Sequence, residues 1–396
     1  MNNKTIDKPA ILGGTPIFET KLPMVVPDFP TWYSVRDKFE DVFNKETIFT
    51  KGKYLREFEE NIADHLNVKH AIGLSSCTSG LMLLYRILDL KGEVILPSFT
   101  FMATGLSLMW INNLTPVFVD VDPDTFTICP KEVQKHINNN TAAIIGVHTF
   151  GNPVHIDELI SIAKKNNTKL IFDSAHGLGS LYNGQPLGGY GDAESFSCSP
   201  TKLLITGEGG IVTTNNDELA NQLRIGREYG NPGNYDSLFA GMNARMCEFN
   251  AIMGIESLQM LNNIVNERNR MAKYLKERLS FLQGIKFQFI DQKNVSSYKD
   301  FTIVIEEEFE LSRDQLVEAL KAENIETRNY YSPPLHLQTT FKSFQNRFKE
   351  KLPVTEKLSN SAVTLPLSSK FSIEQVDKLC LAIEKIYHYR KEINNL

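Results

Sequence analysis

The chain has 396 residues, 42% of them hydrophobic and 22% charged, an ordinary globular composition long enough to bury a large core without metals or disulfides. Its formal charge of -5 at pH 7 argues against nucleic acid or an anionic membrane as the main partner. Five cysteines (Cys77, Cys129, Cys198, Cys247 and Cys380) with no CxxC spacing exclude a disulfide framework or zinc site, so no metal is expected and a reducing compartment fits.

The opening stretch, MNNKTIDKPA, lacks the apolar core of a signal peptide. No window approaches the roughly 18 apolar residues of a membrane span. A cytoplasmic protein with no membrane partner is expected. From residue 70 onward, short β-rich runs alternate with helical stretches. The runs are HAIGLSS (70–76), EVILPS (93–98), TPVFVDV (115–121), AAIIGVH (142–148), KLIFDSA (169–175), AESFSCS (193–199) and GGIVTTN (209–215). Between them lie helix-like segments such as 79–90 and 157–167. Near-continuous apolar runs separated by helices predict an α/β fold whose mostly parallel sheet is covered on both faces, with about seven strands. From about Cys247 to Leu282 one long Pro-free segment has helical periodicity. It divides a large domain over 1–255 from a small C-terminal α/β domain over 256–396. In the latter, FTIVIEEEF and LSRDQLVEALKAENIETRNYY predict strand–helix–strand material.

Open α/β sheets bind ligands outside the carboxyl ends of their strands, so the residues following each run carry the functional reading. The first run ends in Ser75, Ser76, Cys77, Thr78, Ser79 and Gly80 before a helix begins. Small hydroxyl residues at a helix start offer free N–H groups and the positive dipole end to an anion. The same residues also make an ordinary N-cap. Asp173 stands where an apolar strand ends, placed either to pair with a ligand cation or to cap a turn; His176 follows three residues on. Lys202 lies between two apolar runs in SPTKLLITGEGG. Lysine is seldom buried unless it is paired or used, and desolvation lowers its pKa toward that of an amine nucleophile. An anion cradle, a strand-end carboxylate and a buried amine are together the parts needed to hold pyridoxal phosphate. Their order along the chain is that of fold-type I pyridoxal-phosphate enzymes. GxSxG, HExxH and Walker motifs are absent, as is a GxGxxG following a strand. Arg227, in IGREYGNPG, reads as a solvated surface charge.

Taken together, these stretches resemble the DegT/DnrJ/StrS nucleotide-sugar aminotransferases. The likeness runs from ILGGTPIF near the start to LPL at 365–367. It is carried by FEENIADHLNVKHAIGLSS, EVILPSFTFMAT, TPVFVDVDPDTF, FGNP, FDSAHGLG, SPTKLLITGEGGIVTTN, GMNARMCEFNAIMG and TRNYYSPPLHL. The resemblance implies a fold-type I aminotransferase that uses pyridoxal phosphate, with the pyridoxamine form as its intermediate. It implies that Lys202 carries the cofactor, Asp173 faces the pyridine nitrogen and His176 packs near the ring. Phe101 is the residue that stacks on the ring, and Cys77, Thr78 and Ser197 hold the phosphate. Asn243 reaches the phosphate of a neighbouring subunit, which implies a homodimer with shared sites. Cys77 departs from the commoner Gly or Ala, a minor change because backbone N–H groups do not depend on that side chain. Glutamate is the expected amino donor and a nucleotide-linked keto sugar the acceptor, closest to dTDP-4-keto-6-deoxyglucose. Amination at carbon 3, an inosose substrate and a non-catalytic regulatory relative are the alternatives. Tyr330, Tyr331 and His336 are candidates to line the sugar–nucleotide side.

Overall fold

The seven apolar runs become seven strands: β1 (His70–Leu74), β2 (Gly92–Pro97), β3 (Leu114–Val119), β4 (Thr141–Val147), β5 (Lys169–Asp173), β6 (Ala193–Ser197) and β7 (Gly210–Thr214). The computed structural model describes residues 7–45, 51–347 and 351–396; the first six residues of the opening stretch lie outside it. The strands form one sheet in the order β1-β7-β6-β5-β4-β2-β3. β2 pairs in parallel with β3 and β4, β4 with β5, and β5 with β6. β7 alone runs against its neighbours β6 and β1.

Successive strand residues point to opposite faces. Ile95, Ile144, Phe172 and Ile211 enter one apolar core, while Val94, Ile145, Ile171 and Val212 enter another. Both faces are thus packed, which is why the strands read as continuous apolar runs rather than as alternation.

The long helical segment is one helix of 32 residues, Glu248–Leu279. Ile252, Ile255, Leu261, Ile264 and Val265 pack into the first core of the large sheet. Met271, Ala272, Leu275 and Leu279 pack into a separate C-terminal core, which Phe18 and Leu22 of the N-terminal segment join. The expected division at 255/256 falls inside this helix. Beyond it, β8 (Ile285–Phe287), β9 (Phe301–Ile305) and β10 (Ala362–Leu365) form an antiparallel sheet in that order. Helices Arg313–Ala322 and Ile373–His388 supply the rest of its core.

The strand expected after helix Arg313–Ala322 does not form. That stretch makes only isolated bridges, Leu22 to Ile325 and Arg328 to Thr364. The third strand is instead the wholly buried AVTL of β10. Tyr331 is drawn away to stack on Phe150 at 5.5 Å and against Phe99 at 5.4 Å. Arg227 is likewise not a solvated charge. It is buried, pairs with Glu59 and donates to the Gly73 carbonyl at 2.7 Å. Glu59 also accepts the Gly73 N–H at 2.8 Å, so the pair fastens β1 in place. Among the described residues no helix is long and apolar enough to cross a membrane, and no cluster of three or more His, Cys, Asp or Glu could hold a metal ion.

Candidate active site

A cavity of about 380 Å3 opens at the carboxyl ends of the parallel strands. Each of five parallel strands contributes to its wall: Cys77 and Thr78 follow β1, Phe101 follows β2, His148 follows β4, Asp173 ends β5 with His176 beyond it, and Ser197 ends β6 with Lys202 beyond it. This is the crevice where open α/β sheets bind ligands.

Lys202 sits on a loop between β6 and β7 that is held from both sides. The Cys198 N–H donates to the Gly209 carbonyl at 2.9 Å, and the Thr206 N–H returns to the Cys198 carbonyl at 2.9 Å. Leu203, Leu204 and Ile205 bury their side chains as anchors. The Ile205 N–H donates to Ser257 Oγ at 3.0 Å, and Asn250 Nδ2 donates to the Thr206 carbonyl at 2.7 Å, tying the loop to the long helix. Burial lowers the Lys202 pKa to about 8, and the neighbouring Lys299 cation pushes the same way; Asp300, Cys77 and Asp173 oppose it. A neutral amine is therefore accessible near physiological pH, as a nucleophile or proton carrier requires.

Asp173 is buried at the end of β5. Thr104 Oγ1 donates to its Oδ2 at 2.7 Å, and the Ala175 N–H to its Oδ1 at 3.1 Å. Burial raises its pKa, against these two hydrogen bonds and the Lys202 and His148 charges. A desolvated carboxylate in this state favours a cationic partner. A hydrogen bond to a charged group contributes about 1.5–3 kcal/mol. Thr104→Val is therefore expected to lower kcat roughly 10- to 100-fold, with Thr104→Ser retaining most of it, as measured by steady-state assay. Thr104 was not singled out from sequence; the hydroxyl pair Thr100 and Thr104 in TFMAT, 3.0 Å apart, was the available signal.

The segment after β1 enters helix Cys77–Ile87 with Ser76 as its N-cap in a capping box with Ser79. The capping reading thus holds, and the first free N–H groups of the helix, at Cys77 and Thr78, also line the cavity. β7 passes directly beneath this turn at Gly210. A Cβ there would meet the Cys77 nitrogen and the Ser76 carbonyl carbon at 2.3 Å each. Gly210→Ala must push the turn aside, which costs about 1–3 kcal/mol. Weaker cofactor retention on dialysis, together with a lower Tm, is the expected result.

His176 lies 3.9 Å from Asp300, and burial depresses its pKa well below the usual imidazole range, with Lys202 adding to the effect. It is neutral here. Phe101 is half exposed at the cavity wall, and Tyr330 and Tyr331 close another side. Lys299 and Asp300, which the sequence reading passed over, also reach the cavity; their signal was two opposite charges directly before the apolar strand FTIVI. Two further residues lie outside this cavity: Asn243, whose expected place is the neighbouring subunit's site, and His336. Asn243 is exposed, bridging to Glu228 outside the cavity. His336 is buried behind β2, with Nδ1 2.6 Å from Ser98 Oγ and Nε2 3.5 Å from Glu356, so it does not line the cavity.

The donor set fits pyridoxal phosphate. It offers one amine of lowered basicity, one buried carboxylate with no full cationic partner of its own, helix-start N–H groups with hydroxyls beside them, and an aromatic ring at the wall.

The profile of the "DegT/DnrJ/EryC1/StrS aminotransferase family" matches residues 34–384. The solved structure of DesI in the presence of its TDP-sugar product superposes with a TM-score of 0.90 at 32% identity, covering 97% of each chain. The dTDP-3-amino-3,6-dideoxy-alpha-D-galactopyranose transaminase of Aneurinibacillus thermoaerophilus is 33% identical over 84% of this chain and 90% of its own. The dTDP-4-amino-4,6-dideoxy-D-glucose transaminase of Shigella dysenteriae is 28% identical over 94% of this chain and 99% of its own.

Proposed function

The chain belongs to the DegT/DnrJ/EryC1/StrS aminotransferase family, pyridoxal-phosphate-dependent sugar aminotransferases, and from that premise we propose that it moves the amino group of glutamate to carbon 4 of dTDP-4-keto-6-deoxy-D-glucose, giving dTDP-4-amino-4,6-dideoxy-D-glucose. The observation that carries the chemistry is the convergence of Lys202 and Asp173 on one cavity at the strand ends. The choice of sugar is supported by the likeness to DesI, whose structure holds a TDP-sugar product, and to the Shigella 4-amino-sugar transaminase.

Pyridoxal phosphate, when bound, supplies a carbonyl that captures amines and a ring that accepts the electron pair left when a carbon loses its proton. Lys202 would carry it, and once displaced by the donor, would move a proton as general base and then acid. Asp173 would hold a proton at the ring nitrogen. Cys77 and Thr78 would direct N–H groups at the phosphate, with Ser197 beside them. Phe101 would cover one side of the ring and His176, neutral, the other. Tyr330 and Tyr331 would face the sugar, since polar aromatics combine stacking with a hydrogen-bonding tip. Asn243 is exposed, as are Tyr229, Tyr235 and Leu238 of the preceding loop, which fits a homodimer in which it serves the neighbouring site. A cytoplasmic setting suits the five free thiols.

The test is product analysis: purified enzyme, glutamate and each candidate keto sugar, with the amino position assigned by NMR. A 4-amino product supports the reading. A product aminated only at carbon 3 favours the second reading, to which the Aneurinibacillus likeness points, and a product formed only from an inosose overturns both.

A further inference from the structure

Lys299 and Asp300 do not come from the strand ends of the large sheet that bring Lys202 and Asp173 to the cavity. They sit immediately before β9, in the C-terminal sheet, and both side chains are buried. Lys299 Nζ lies 2.9 Å from Asp300 Oδ1. The segment that carries them is clamped by Arg268 of the long helix. Its guanidinium donates to the carbonyls of Tyr298 at 2.8 Å, Lys299 at 2.9 Å and Leu367 at 2.8 Å. Arg268 spends its hydrogen bonds on the backbone, so the pair is fixed in position rather than neutralised by it.

Lys202, Lys299 and Asp300 line the main cavity and also a smaller one behind it, bounded by Met24–Asp28, Arg268 and Leu367. With Thr201, which also lines both, these residues form one partition between two spaces. A buried ion pair usually costs more in desolvation than its mutual attraction returns, so its position calls for a reason beyond stability. Here it lines the same two cavities as the reacting amine, in a medium that screens charge weakly.

We propose that Lys299 and Asp300 are positioning residues for the transamination chemistry of Lys202: the Lys299 ammonium disfavours a second positive charge on Lys202 and so keeps that amine ready to accept a proton, while Asp300 holds Lys299 in place and limits its effect. This rests on the reading of Lys202 given above. The other ionisable groups around Lys202 are Asp173 and Cys77 on the sheet side, His148 after β4, His176 after β5 and Cys198 in its own loop. Glu208 and the two tyrosines lie across the main cavity, and Asp28 and Arg268 across the smaller one. Among the described residues of these two cavity walls, the lysine and arginine cations besides Lys202 are Lys299 and Arg268. The directions found for Lys202 agree, with Lys299 lowering its basicity and Asp300 raising it.

The opposed signs make the test specific. With the keto sugar as varied substrate, the acidic limb of the kcat/KM–pH profile should move up by about one pH unit in Lys299→Met and return toward wild type in Lys299→Arg. In Asp300→Asn it should move down. A merely structural pair would change kcat or stability without shifting the limb, and would not shift it in opposite directions. If Lys299→Met does not fold, Asp300→Asn alone decides: a limb that stays or rises overturns the proposal. Failure here is distinguishable from failure of the parent reading. If Lys202→Ala remains active, Lys202 is not the reacting amine. If Lys202→Ala is inactive but the two limbs do not diverge, the positioning role alone is wrong.

Discussion

Lys202→Ala should reduce amino transfer by at least about 1,000-fold, because it removes both the covalent attachment point and the proton carrier in one change. Its side chain makes no hydrogen bond that holds the loop together; the loop is fastened through backbone groups of Cys198, Ile205, Thr206 and Gly209. The variant should therefore fold with little change in Tm, and a loss of activity reports chemistry rather than collapse. Lys202→Arg should fail to rescue it, since a guanidinium stays protonated and cannot act as a neutral amine at any working pH. A parallel assay of kcat and thermal unfolding for the two variants separates these effects.

Asp173→Asn should lower kcat by about 10- to 1,000-fold. An opposite charge within hydrogen-bonding range shifts a proton equilibrium by about 1–3 units, and each unit is about 1.4 kcal/mol of preference for the protonated ring nitrogen. Asparagine has nearly the same shape; its amide oxygen can still accept from the Ala175 N–H, while its NH2 would face Thr104 Oγ1 as a donor, so packing is preserved while the charge is lost. Because Asp173 is buried and its carboxylate is disfavoured there, the neutral amide should leave Tm unchanged or slightly higher. Activity down with stability held is the expected result in a paired kinetic and unfolding measurement. Activity that tracks a fall in Tm would reduce Asp173 to a packing residue.

How much of this was legible in the sequence follows from what each residue contacts. All seven strands of the large sheet showed as apolar runs, because neighbouring residues such as Ile171 and Phe172 are buried in opposite cores. The reversed direction of β7 was not legible, since a strand buried on both faces has the same composition whichever way it runs. Asp173 stood out as a charged residue at the end of an apolar strand, and Lys202 as one between two apolar runs. Lys299 and Asp300 did not, because adjacent opposite charges before a strand are usually solvated; here Arg268 holds their backbone from the distant long helix. Arg227 was misread for the matching reason: its partner Glu59 is far away in sequence. Tyr330 and Tyr331 do line the cavity, whereas His336, a few residues on, is captured by Ser98 and faces away from it.

One mapping experiment reads directly which side chain holds the cofactor. Holoenzyme reduced with borohydride, digested and analysed by mass spectrometry should carry the reduced cofactor on the peptide containing Lys202 and on no other. Label found instead on the peptide containing Lys299, or on no lysine at all, would contradict it.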